Sequence, residues 1–202
     1  GSTKTATSIP APASLPMASA SGAPAARRSS PPSVVSSARF SGTMQQAAGR
    51  NSSAIPTISG VAAYLRERKP EVKIALADPA GAAMFNWFTK GEMTGEGSSI
   101  TEGIGVARIT GNLEGFKPDY AYRIEDAEFL PILFDLVKHE GLSLGGSAGV
   151  NIAGAVRLAR ELGPGSTIVT CLCDPGSRYA SKLFNPEFLA TKGLPAPPWL
   201  RG

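Results

Sequence analysis

The stretch LGGSAGVN, residues 144–151, sets two glycines, a serine and a third glycine between a short apolar run and a helical pattern. A hydroxyl among glycines at a helix start either caps the first turn or stands where backbone comes close to a ligand. Ser147 is that hydroxyl. The residues after it, SAGVNIAGAVRLARELG, form the clearest helical pattern in the chain. Ile152, Ala155, Val156 and Ala159 fall on an inward face and Arg157, Arg160 and Glu161 face out, with Ser147 at the N-cap and Gly163-Pro164 as the stop. The residues before it, LSLGG, read as a short strand.

Outward from this junction the same alternation recurs. TISGVAAYLRERKP spaces Ile58, Val61, Ala62 and Leu65 as a helix ended by Pro70, and EVKIALADP follows as a buried strand running out at Asp78-Pro79. AGAAMFNWFTKG is a short helix, AYRI a strand, and EDAEFLPILFDLVKHEG a helix with Phe129, Ile132, Leu133 and Leu136 inward, although Pro131 lies near its start. STIVTCLCD is a β-branched strand reaching Asp174. Strands alternating with helices of this length imply an α/β fold, an open and mostly parallel sheet with helices on both faces. Ligands of such sheets bind beyond the carboxyl ends of the strands. Asp78, the turn at 145–149 and Asp174 all fall there. The pattern alone leaves cap and pocket both open for Ser147. Residues 91–115 are glycine-rich and without period, as in a functional or a flexible loop.

Charge divides the chain in two. Residues 1–52 hold Lys4, Arg27, Arg28, Arg39 and Arg50 and no acid, whereas the whole chain has a net charge of +4, so the remainder stands near −1. The folded part therefore offers no nucleic-acid groove. The Ala/Ser/Pro-rich segment 1–52 buries too little apolar surface to order itself, and its Ser and Arg without acids resemble a mitochondrial or plastid transit peptide, with ARFSG at residues 38–42 as a processing point. The other reading is a plain low-complexity extension. Residues 53–202 are the expected α/β domain. No apolar run reaches the roughly 20 residues of a membrane span. Cys171 and Cys173 lie two apart on a strand, read as buried and poorly placed to pair, and with a single His in the chain, His139, soft ligands are too few for a zinc site. His139 closes a helix as a dipole partner, and Trp87 and Trp199 pack.

The longest motifs carry a resemblance. GEGSSITEGIG, NLEG, EGLSLGGSAGVNIAGAVRLARELGPGSTIVTCLCDPGSRYASKLFNPEFL and GLP resemble the carboxyl-terminal portion of the cysteine synthase A (O-acetylserine sulfhydrylase) family, and SGVAAYLRERKPEVKIALADP resembles the segment before it. The resemblance spans about residues 57–200. It implies a fold type II pyridoxal-phosphate enzyme, of the class that includes cystathionine β-synthase and the tryptophan synthase β chain, with the chain corresponding to part of its large domain. It implies pyridoxal 5′-phosphate as cofactor and Ser147 as donor to the pyridine nitrogen. It implies loss of acetate from O-acetylserine through an aminoacrylate, followed by sulfide addition. Thr57 matches the last residue of the family's phosphate-gripping GTGGT, and the loop of Gly103, Ile104 and Gly105 borders cofactor and substrate. A homodimer and a serine acetyltransferase partner belong to the same resemblance.

Two departures oppose activity. The family's Schiff-base lysine, in an SxKDR-type motif, has no counterpart: Lys4 lies in the tail, and Lys69, Lys73, Lys90, Lys117, Lys138, Lys182 and Lys192 fall where the family has none. The phosphate loop reads SAIPT, in which Pro56 removes an N–H and Ile55 adds bulk. The chain is thus expected to be inactive alone and to hold the cofactor weakly, being either a truncated coding sequence or a derived protein that has lost its catalytic half. The alternative function is a non-catalytic binding or structural subunit, within a larger assembly. A nucleotide-binding domain lacks the GxGxxG that would support it.

Overall fold

In the computed structural model, residues 33–36, 57–106, 108–109 and 111–201 are described. The centre of the molecule is β2, Lys73–Pro79, buried from Ile74 onward. Its side chains alternate in size as well as direction. Ile74 and Leu76 point to one face, where they meet Ile58 and Ala62 of α1 (Thr57–Arg68). Ala75 and Ala77 point to the other and meet Leu158, and Val150 with Ala153, of α4 (Gly146–Leu162). One strand thus separates two cores, with a helix on each face.

The sheet has the order β3-β2-β1-β4, every neighbouring pair parallel. β3 is Tyr120–Ile124 and β4 is Thr167–Val169. β1, Ser33–Ser36, lies between β2 and β4, with Val35 opposite Ile74 and Val169. This corrects the expectation of disorder over 1–52 at these four residues, where the β-branched pair Val34-Val35 supplies strand propensity inside a low-complexity segment. The rest of that segment, with the phosphate-loop residues 53–56, lies outside the described residues. Among the described residues no helix is long and apolar enough to cross a membrane.

The helical elements fall close to expectation, with differences at their ends and faces. α2 is Met84–Lys90, closed by Gly91 in the left-handed region at φ 77°. α3, Asp126–Asp135, contains Pro131 and gives way to a single π turn, Leu136–Glu140, so one expected helix is two pieces. Short helices α5 (Ala180–Leu183) and α6 (Pro186–Thr191) end the chain's main body. LSLGG is no strand: Leu144 makes only an isolated antiparallel bridge with Pro175. β4 stops at Val169, so Cys171 and Cys173 lie beyond it, half-buried rather than buried, and in no disulfide.

α4 also presents a different face from the one expected. Val150, Ala153, Gly154 and Leu158 are buried, whereas Val156 is 36% exposed and Ile152 and Ala155 are half-buried. Close approach, not side-chain size, selects the face. A Cβ on Gly154 would stand 2.7 Å from that of Ala77, which only glycine permits.

Gly154→Ala should therefore destabilise the chain by about 1–3 kcal/mol, although alanine is the better helix former. Gly60, exposed in α1 with open space where its Cβ would go, makes the contrast, and Gly60→Ala should stabilise by about 0.5–1 kcal/mol. Urea unfolding of the two variants beside the parent chain checks the opposite signs.

Candidate functional site

The site forms where α4 begins. α4 leads into β4, and its start is tied back to the chain beyond that strand, for the Gly145 N–H donates to the Asp174 carbonyl at 2.8 Å. This places residues 145–149 at the carboxyl edge of the sheet. Gly145, not Ser147, is the N-cap, and no side chain caps α4 among the described residues. Ser147 instead occupies the second helical position. It is 5% exposed, and no described residue hydrogen-bonds its hydroxyl. The hydroxyl is not sealed in the interior, so it is open to a partner from outside the described residues.

The glycines around Ser147 are there for space. A Cβ on Gly146 would stand 2.9 Å from Thr101 Cγ2, and one on Gly149 would stand 2.7 Å from Phe129 Cδ2. Thr101 opens the TEGIG loop, so the structure brings that loop against the turn carrying Ser147. Hydrogen bonds anchor this part of residues 91–115. Asp126, buried in the first turn of α3, accepts from the Ile100 N–H at 2.9 Å and from the Ser99 hydroxyl, which also bonds Thr101 Oγ1 at 2.8 Å. Glu102 pairs with Lys182. Ile104 packs on the main core, while Gly103 and Gly105 are exposed at φ 72° and 80°. Gly105 lies against Ala82 and Pro79.

Thr57 is the first residue of α1 and is half-buried. Because α1 leads from β1 to the adjacent parallel β2, its amino end also lies at the carboxyl edge of the sheet. The structure gives no hydrogen bond joining Thr57 to Ser147. Asp78 departs from the pocket reading. It is 2% exposed, and its carboxylate accepts the Phe85 N–H at 2.9 Å, so it caps the start of α2 from a neighbouring strand. Asp174 is half-buried and accepts from the Tyr179 hydroxyl at 2.8 Å. Burial and this carboxylate acceptor raise the Tyr179 phenol above its ordinary value. Sequence reasoning missed Asp126 and Ser99, whose roles appear only once the loop is folded onto α3.

Lys73 pairs with Asp119 and Lys90 with Glu96, while Lys182 pairs with Glu102 of the TEGIG loop and Lys192 lines a cavity with Ser99, Ile100 and Asp126. Among the described residues no cluster of His, Cys, Asp and Glu could hold a metal.

A parallel α/β sheet with a glycine-rich turn and a free hydroxyl at its carboxyl edge defines a class. Residues 53–174, more than half of the chain, match the pyridoxal-phosphate dependent enzymes, and the chain belongs to that family. Within it the chain is similar to cysteine synthases. Cysteine synthase 2 of Schizosaccharomyces pombe is 42% identical over 151 residues, 68% of this chain and 38% of that one. The cysteine synthase of Dictyostelium discoideum is 39% identical over 144 residues, 66% of this chain and 38% of that one. The crystal structure of O-acetylserine dependent cystathionine beta-synthase from Helicobacter pylori superposes with a TM-score of 0.57 at 30% identity, covering 75% of this chain and 43% of that one. The chain thus spans about two fifths of the length of these relatives.

Burial pushes the Asp78 carboxyl from 3.8 up to about 6, against the lowering effect of the Phe85 and Met84 N–H groups. The folded chain holds this proton more tightly than the unfolded one, so stability should fall as pH rises from about 4 to 6. At pH 7 the ionised group costs on the order of 3 kcal/mol. Asp78→Asn keeps an acceptor for Phe85. It should flatten this part of the profile and raise stability at neutral pH, as read from urea midpoints at pH 4 and pH 7 for both forms. Parallel profiles would show that Asp78 does not titrate in this range.

Proposed function

We propose that this chain carries the ring-nitrogen side of a pyridoxal-phosphate pocket of the cysteine synthase type, in which sulfide replaces the acetate of O-acetylserine. The hydroxyl of Ser147 at the start of α4, unpartnered among the described residues on a side chain that is otherwise packed in, carries the reading. When bound, the cofactor supplies an electron sink at the substrate's α-carbon. Ser147 fits its pyridine nitrogen, donating one hydrogen bond without the charge that would hold a proton there. Thr57 and the first amides of α1 would hold the phosphate, with help from the positive end of the helix dipole. That grip is weakened by Pro56, which has no N–H. The loop with Gly103, Ile104 and Gly105 lines the substrate side, where exposed glycine backbone lets a small amino acid approach.

No lysine of the matched segments takes the Schiff-base role, so the chain alone holds cofactor without a covalent bond and does not turn over. A second reading, a non-catalytic subunit, draws on Val169, which ends the edge strand β4, and Leu172 just beyond it, 51% and 50% exposed. Such apolar surface favours association with a second copy, a serine acetyltransferase or a larger assembly.

Pyridoxine 5′-phosphate separates these readings, because it has ring and phosphate but no aldehyde to react with surface lysines. The parent chain should bind it, and Ser147→Ala should weaken binding about tenfold, the worth of one hydrogen bond. Equal affinity in the two forms would remove Ser147 from the pocket. With pyridoxal phosphate itself, borohydride should trap no stoichiometric lysine adduct, and O-acetylserine with sulfide should give no cysteine. A single trapped lysine with turnover would overturn the proposed inactivity.

A further inference from the structure

The segment after β4 encloses the turn that presents Ser147. Besides the bond from Gly145 to Asp174, the Gly176 N–H donates to the Ser143 carbonyl at 2.9 Å, and Leu144 bridges Pro175. Asn151, one turn into α4, donates its side-chain amide to the Cys171 carbonyl at 3.3 Å. Tyr179 completes the enclosure. Its hydroxyl donates to Asp174 Oδ2 at 2.8 Å, and its ring lies so close to Gly145 that a Cβ there would stand 2.7 Å from Cε2. Gly145 offers no side chain to cap α4, and the Ala148 and Gly149 N–H groups both donate to its carbonyl at 3.1 and 3.3 Å, so the entry angle of the helix turns on where Gly145 is held. It is fixed by what packs on Gly145.

We propose that Asp174 and Tyr179 are positioning residues for Ser147. The carbonyl of Asp174 holds the residue before α4, its carboxylate holds the Tyr179 hydroxyl, and the tyrosine ring closes the remaining space over Gly145. Together they leave α4 one way to begin, and with it one direction for the Ser147 hydroxyl. The carboxylate also stands near the positive end of the α4 dipole, where its charge is favourable. Because Ser147 matters as a cofactor ligand only under the reading proposed above, this inference rests on that reading.

The test uses the full chain with Tyr179→Phe, Asp174→Ala and Asp174→Asn, read by amide hydrogen exchange and by affinity for pyridoxine 5′-phosphate. Tyr179→Phe keeps the ring and removes the hydroxyl. It and Asp174→Ala should speed exchange over residues 145–149 about tenfold, with β2 and β3 unchanged, and should lower affinity about fivefold. Asp174→Asn keeps an acceptor for the tyrosine and should behave as the parent chain. Unchanged exchange at 145–149 would overturn the inference. So would exchange that rises equally in every element, the mark of general packing, or faster exchange with unaltered affinity. A parent chain that binds no pyridoxine phosphate, with exchange still responding at 145–149 alone, would sink the ring-nitrogen reading while leaving the control of this turn standing.

Discussion

The distance between α4 and β2 governs the rest of the structure. β2 carries Ile74 and Leu76 on one face and Ala75 and Ala77 on the other. The large pair gives α1 an ordinary apolar seat. The small pair, met by Gly154, lets α4 settle almost onto the strand backbone. A helix seated so closely has little freedom to slide or tilt, because interiors at native density transmit a shift of one methyl group. Its amino end is therefore delivered to a definite place at the carboxyl edge. A larger residue at position 77 would lift the helix and carry Ser147 away with it.

The elements that the sequence makes legible are those with strong periodicity: α1, β2, α2, β3 and α4 all stand within a few residues of their expected ranges. The inward face of α4 was not legible. Hydropathy ranks Ile152 and Val156 above Ala153 and Gly154, whereas contact with an alanine-lined strand rewards the absence of side chain. The capping role expected of Ser147 failed for a related reason, since the helix begins two residues earlier through glycines held by the segment after β4. Asp78 misled because a carboxylate at a strand end can serve a ligand or a neighbouring helix start with the same sequence signature. Ser147 and the TEGIG loop were legible as separate motifs. Their meeting, through Thr101 on Gly146, was not, because it depends on Asp126 drawing residues 99 and 100 onto α3.

The site combines rigidity from two sources. The turn at 145–149 is confined by rings and methyl groups that occupy the space of absent Cβ atoms and by hydrogen bonds to the segment after β4. The loop at 98–105 is confined by polar contacts, through Asp126 and the Glu102–Lys182 pair. The packed contacts of the turn are indifferent to salt, whereas the exposed Glu102–Lys182 pair of the loop is screened by it. Turn and loop are thus confined by forces that respond to different conditions.

β1 has a consequence for the life of the chain before it is fully folded. Its four residues stand between β2 and β4, so the sheet closes only when residue 33 finds residue 167. That contact spans most of the sequence and must form late, after the local units around β2, β3 and α4. The same strand also bears on import. A leader cut at ARFSG, residues 38–42, would carry Val34 and Val35 away with it and leave β2 and β4 with facing unpaired edges. The segment can be a discarded address or the middle of the sheet, but one molecule cannot use it as both.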